Sequence, residues 1–278
     1  LSIKEVQINE EKDILKRILL KDLNENGILR LTLNDIDNKN ALSESMMQKL
    51  LEAISKGSKD NSVKVIVIAS TGNVFCSGHN LKEINEAKKA EDKGESYYLD
   101  LFKTCSELMQ FIINCPKPVI AEVNGVATAA GCQLVASCDL AIASDSSKFA
   151  TPGVNIGLFC STPMVAISRN ISKKDSMKML LTGDMISADE AKRISLINDF
   201  VPDDQLTKSV MDLAKKISEK SQAVLKIGKE AFYKQSQLNI EDAYEYTSMV
   251  MTKNMMIDDA SEGISSFLDK RNPKWRNK

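Results

Sequence analysis

The run Val63-Lys64-Val65-Ile66-Val67-Ile68-Ala69 constrains the fold more than any other segment. A short, β-branched stretch of this kind reads as a strand buried on both faces, and such a strand needs layers packed above and below it. Upstream, residues 28–33 alternate apolar and polar side chains, a second strand signal. Between the two, residues 43–56 read as a helix. Ser43 is placed to cap it, and Met46, Met47, Leu50, Leu51 and Ile54 recur at helical spacing. The pattern then repeats, with a helix over 95–113, a strand over 118–123, a short helix over 129–137 and a strand over 139–143. Alternation of this sort predicts an α/β fold, a parallel sheet covered by helices.

Past about residue 170 the strand signal fades to one short segment, 198–201, and helices dominate. They are expected over 205–218, 223–235, 240–254 and 260–268, the first with Leu206, Val210, Leu213 and Ile217 on one stripe. One-sided helices with little sheet left to cover bury their apolar faces on each other or on another subunit, and the chain's 12 Met residues suit adaptable packing. We therefore expect a core over 1–200, a helical region over 201–278 that packs on it and on neighbouring subunits, and an oligomer. No Pro/Gly/Ser-rich linker divides the two parts.

Composition excludes more than it selects. Lys+Arg 37 against Asp+Glu 38 leaves a net charge of −1, which gives no footing for nucleic acid, although Lys270, Arg271, Lys274, Arg276 and Lys278 make the C-terminus locally basic. The six cysteines, at 76, 105, 115, 132, 138 and 160, sit mostly in apolar stretches without metal-ligand spacing. No metal site and no disulfide framework is expected, and a reducing compartment fits best. Apolar runs are too short for a membrane span. Residues 1–20 carry Glu5, Glu10, Glu11 and Asp13 among their lysines, unlike a signal or transit peptide. The expected location is the cytoplasm, or the mitochondrial matrix if a transit segment has been removed.

Two small-residue turns stand where α/β proteins expose backbone N–H groups to ligands. Phe75-Cys76-Ser77-Gly78-His79-Asn80 follows the strand over 63–69, and Asn124-Gly125 leads to Ala129-Ala130-Gly131 after the strand over 118–123. Small side chains there admit a ligand close to the main chain.

Four stretches, Asn40-Ala41-Leu42, the loop Phe75 to Glu83, Pro118 to Gly125 with Ala129 to Asp139, and Leu181-Thr182-Gly183-Asp184 with Ile186-Ser187-Ala188, resemble the crotonase, or enoyl-CoA hydratase/isomerase, superfamily. The resemblance covers the chain from about Lys21 through Trp275. Thr151-Pro152-Gly153 and Gly157 through Pro163 narrow it to one branch, mitochondrial in animals. It implies a spiral of strand–strand–helix repeats with a helical trimerisation region, assembled as a homotrimer or homohexamer. The backbone N–H groups of His79 and Ala130 would polarise an acyl-CoA carbonyl. Lys39, Ala41, Cys76, Gly78 and Leu81 would contact the CoA moiety, as would Phe267 and Lys270 of a neighbouring subunit. No separate cofactor is implied, because coenzyme A is part of the substrate, and the setting would be fatty-acid metabolism.

By the same resemblance, hydratases of the family hold a water between two glutamates. Here those places fall at Gln133 and Gly153, and a third ionisable position falls at Ser161. An amide orients water but exchanges no proton near neutral pH, and glycine has nothing to offer. Gln133 is left to position a water, with Gly153, Cys160 and Ser161 lining the acyl pocket, Asn155 nearby and the imidazole of His79 as a further candidate. The expected outcome is an acyl-CoA enzyme, with a non-hydrating acyl-CoA binder or a decarboxylase or thioesterase as alternatives. Asp139 reads as structural and Cys160 as a small apolar residue.

Overall fold

The computed structural model describes residues 17–277. Glu5, Glu10, Glu11, Asp13 and Lys278, which entered the reading of the two termini, lie outside them. Ten strands and eleven α-helices follow one another among the described residues.

Strand β1 (Leu19–Leu23) pairs antiparallel with β2 (Ile28–Leu33), and the remaining pairs of the larger sheet are parallel: β2 with β3 (Val65–Ser70), then β5 (Val119–Val123), β7 (Leu140–Ser144) and β10 (Asp199–Val201). The buried run is β3, fully covered along its length. Period-two alternation splits it between two cores. Ile66 and Ile68 join the large cluster with α1 (Glu44–Lys59), α3 (Glu95–Asn114) and α4 (Ala130–Ser137). Val65 and Val67 turn the other way, with Ile120 and Ile142, onto Leu206, Val210 and Ala214 of α8 (Leu206–Ser218). Both faces are therefore covered, as the β-branched run requires.

A second, smaller sheet went unread in the sequence. Strands β4 (Val74–Cys76), β6 (Val126–Thr128) and β8 (Lys148–Ala150) run parallel, and β9 (Ile186–Ser187) closes the edge antiparallel to β8. Each is two or three residues long, too short for any periodicity to show. The consequence is the spiral: β3 and β4, β5 and β6, β7 and β8 each give one strand to the large sheet and one to the small, with helices between. This is the crotonase-like α/β fold that the resemblance implied.

Helix boundaries follow their caps. Ser43 Oγ accepts from Met46 N–H and starts α1, and Asn80 does the same from Lys82 N–H at α2 (Leu81–Ala87). Downstream lie α5 (Pro163–Ile167), α6 (Lys173–Thr182), α7 (Ala188–Arg193), α9 (Gln222–Gln235), α10 (Ile240–Met255) and α11 (Asp258–Leu268). Helices α9 to α11 pack in sequence on one another and leave much apolar surface uncovered. No helix among the described residues is long and apolar enough to cross a membrane.

Candidate active site

The spiral carries the two turns against each other. Parallel pairing of β4 with β6 sets Val74 opposite Val126 and Cys76 opposite Ala127, with a register shift between them. Just beyond, Thr128 Oγ1 donates to Ser77 O (3.1 Å), stitching one turn to the other. Gly78 has φ +92°, and a Cβ there would stand 2.9 Å from Ala129 Cβ and 3.3 Å from Ala130 N. A Cβ on Gly131 would stand 2.1 Å from Cys76 O. Neither position has room for a methyl group.

Ala129 holds the second turn at φ 51°, ψ −119°, an uncommon conformation for a residue with a side chain. Its N–H donates to Ala150 O (3.0 Å), which ties the turn to β8. Ala130 then opens α4, so its N–H is one of the first-turn groups that no helical carbonyl can accept. His79 follows Gly78 directly. Leu42 N–H donates to Gly78 O (2.7 Å), a single parallel bridge links Leu42 to His79, and His79 Nδ1 lies 3.3 Å from Leu42 O. The ring meets Phe102 edge-on, with centroids 5.6 Å apart. Burial pulls the imidazole below its ordinary pKa, partly opposed by its bond to Leu42.

Gln133, one turn into α4, is buried, and its Oε1 lies 3.9 Å from Cys105 Sγ on α3. Gly153 lies in a short 3-10 turn, Pro152–Ile156, where a Cβ would meet Leu158 O at 2.8 Å and Cys160 Sγ at 2.9 Å. Burial pushes the Cys160 thiol up, which suits a packing role rather than a nucleophile. Ser161 is exposed, and its hydroxyl turns back to Phe159 O (3.4 Å).

Of the residues expected to meet CoA, Lys39 is exposed in a left-handed conformation, its carbonyl accepting from Ser77 N–H, and Leu81 is exposed at the start of α2. Phe267 and Lys270 are exposed at the end of α11. Two expectations need correction. Cys76, expected to contact the CoA moiety, is wholly buried with its thiol pushed up to about 12, because its side chain lies under Gly131 of α4. Ala41 is buried as well, leaving little for a ligand to touch.

Three acidic groups of the spiral are engaged in bonds of their own. Glu83, a candidate substitute for a missing carboxylate, accepts from Asn80 Nδ2 (3.2 Å) and from Glu44 N–H (3.3 Å) at the start of α1. Glu122 pairs with Arg30 (2.6 Å) and takes a bond from Thr207 (2.6 Å). Asp139 accepts from Lys229 Nζ (2.6 Å), Tyr233 Oη (2.9 Å) and Val119 N–H (2.7 Å), the structural role expected of it. Leu42 and Phe102 also contact the first turn, though no sequence signal assigned either a role there. Leu42 sits inside the Asn40-Ala41-Leu42 motif, whereas nothing in the helical pattern sets Phe102 apart.

Residues 23–278 match the family model of enoyl-CoA hydratase/isomerase, and the chain belongs to that family, within the crotonase superfamily. Within it, the relatives point to the branch of enoyl-CoA hydratase domain-containing protein 3. The mitochondrial protein of that name from Xenopus laevis is 48% identical over 251 residues, 90% of this chain and 84% of the relative. The human one is 47% identical over 249 residues, 90% and 80% of the two chains. Its crystal structure superimposes with a TM-score of 0.88 at 46% identity, covering 93% of this chain and all of that one. A Mycobacterium smegmatis enoyl-CoA hydratase gives a TM-score of 0.89 at 46% identity over 94% of this chain and 99% of the other.

Proposed function

We propose that this protein binds an acyl-CoA thioester and polarises its carbonyl between the backbone N–H groups of His79 and Ala130. The observation that supports this reading is the contact between the turns at Gly78 and Gly131: a Cβ on Gly78, the residue before His79, would stand 3.3 Å from Ala130 N at the start of α4. Two preorganised donors aimed at a developing enolate contribute about 3 to 4 kcal/mol each in comparable sites. Lys39 and Leu81 flank the CoA path, Phe267 and Lys270 reach it from a neighbouring subunit of a trimer or hexamer, and Cys160 and Ser161 border the acyl chain. Gln133 orients a water through its amide. Membership of the family, and relatives named as mitochondrial enoyl-CoA hydratase-domain proteins, favour acyl-CoA chemistry of fatty-acid metabolism in the mitochondrial matrix.

Titration calorimetry with butyryl-CoA and with free CoA tests the reading. Tighter binding of the thioester than of free CoA supports carbonyl recognition, and absence of binding by either refutes it. A second reading, acyl-CoA binding without hydration, is favoured by Gly153: its surroundings leave no space for the second glutamate of a hydratase. Incubation with crotonyl-CoA separates the two, because a pure binder leaves the enoyl absorbance unchanged.

A further inference from the structure

His79 is the only imidazole in the chain, and its ring is held in a defined state. A carbonyl oxygen only accepts, so the 3.3 Å contact of Nδ1 with Leu42 O requires the proton on Nδ1. Nε2 is then a bare lone pair. Among the described residues it is buried with no hydrogen-bond partner, and an unpaired buried acceptor costs about 1–3 kcal/mol. Such a group in a well-packed core calls for a role. The same residue supplies one of the two backbone donors proposed to hold the thioester, so the lone pair lies one side chain away from where the enolate charge would form. Phe102 of α3, itself 38% exposed, meets the ring edge-on. One turn further along α3, Cys105 faces Gln133, so a single helix walls both residues.

We propose that His79 Nε2 is the proton acceptor of this site, taking the α-proton of a bound acyl-CoA once Phe102 has moved aside. The step rests on the thioester-binding reading above. The Cα–H bond breaks and an Nε2–H bond forms. The C–H electron pair passes into the thioester as an enolate whose oxygen is held by the His79 and Ala130 N–H groups, and reversal returns the proton. The imidazole thus does the work that no carboxylate at Gln133 or Gly153 can do. Burial keeps the ring neutral, with its lone pair free, and weakens it as a base, while Leu42 O opposes that by steadying the imidazolium through the Nδ1 proton.

Exchange of the α-protons of butyryl-CoA in heavy water tests the step, followed by proton magnetic resonance, with calorimetry on the same samples. The wild-type protein is expected to catalyse exchange. His79→Asn keeps a donor toward Leu42 O and removes the acceptor, and His79→Gln keeps an acceptor that cannot take up a proton. Both keep the backbone N–H, and exchange, normalised to the butyryl-CoA that calorimetry shows each variant to bind, falls about 100- to 10,000-fold. Phe102→Ala is expected to speed exchange and to expose the imidazole to acylation by diethyl pyrocarbonate. Exchange at the wild-type rate in either His79 variant overturns the proposal. Binding without exchange by the wild-type protein also overturns it and leaves the thioester-binding reading standing. Absence of binding overturns both.

Discussion

Gly78 and Gly131 reject a methyl group for different reasons, and the difference is measurable. At Gly78 the backbone angle of +92° is one that L side chains rarely adopt, and the new methyl would press on Ala129. At Gly131 the obstacle is a main-chain carbonyl, Cys76 O, which no rotamer change can move. Gly78→Ala and Gly131→Ala are each expected to cost about 1–3 kcal/mol in urea unfolding, and both should loosen butyryl-CoA binding because each pushes the two donors apart. Gly153 teaches a related lesson. Putting carboxylates back at both places, Gln133→Glu with Gly153→Glu, meets a steric obstacle at the second. A Cβ at 153 meets Leu158 O and Cys160 Sγ, so the double variant should lower the melting temperature and hydrate crotonyl-CoA no faster than the parent. Adding Cys160→Ala relieves the thiol contact and leaves the carbonyl one.

Among elements, α9 is locked to the spiral by one buried ion pair. Lys229 Nζ, 8% exposed, reaches Asp139 at 2.6 Å and also donates to Ile112 O and Lys117 O, while Tyr233 Oη adds a bond to the same carboxylate. Lys229→Met leaves Asp139 half-buried without its cation and is expected to cost about 3–5 kcal/mol, read as a lower urea midpoint. Most elements were legible beforehand. The strand at 28–33, the Ser43-capped helix, the long α3 and the four C-terminal helices all announce themselves through periodicity and caps. The small sheet does not, since β4, β6 and β8 are held by parallel pairing to strands far away in sequence rather than by any local pattern. That gap also hid the site's construction. His79 and Ala130 follow from the resemblance, but their approach depends on β4 lying beside β6, and the roles of Leu42 and Phe102 come from contacts that only the folded chain makes.

At the scale of the molecule, two properties are open to direct measurement. All six cysteines are free and buried, and burial raises Cys76, Cys105 and Cys132 from an ordinary value of 9.0 to about 12. The unfolded chain ionises these thiols first, so their contribution is complete below pH 9 and is lost as pH climbs toward 12. Unfolding free energy should fall by about 1.4 kcal/mol per pH unit for each thiol in that window, checked by urea titrations in alkaline buffers. The second property concerns α9 to α11, where Phe232, Ile240, Tyr244, Met256, Phe267 and Leu268 are each more than half exposed. Apolar surface on this scale marks an interaction face. The chain is expected to sediment as an oligomer, and Met256→Glu with Phe267→Glu to shift it toward the monomer without unfolding it. The contact between the two glycine turns has a further consequence during synthesis. The first turn emerges from the ribosome with β4 long before β6 exists to lie beside it, so a chain released before Val126 carries only one of the two proposed donors. Thioester binding should appear abruptly in a series of C-terminal truncations, a property of the closed spiral that no shorter nascent chain can rehearse.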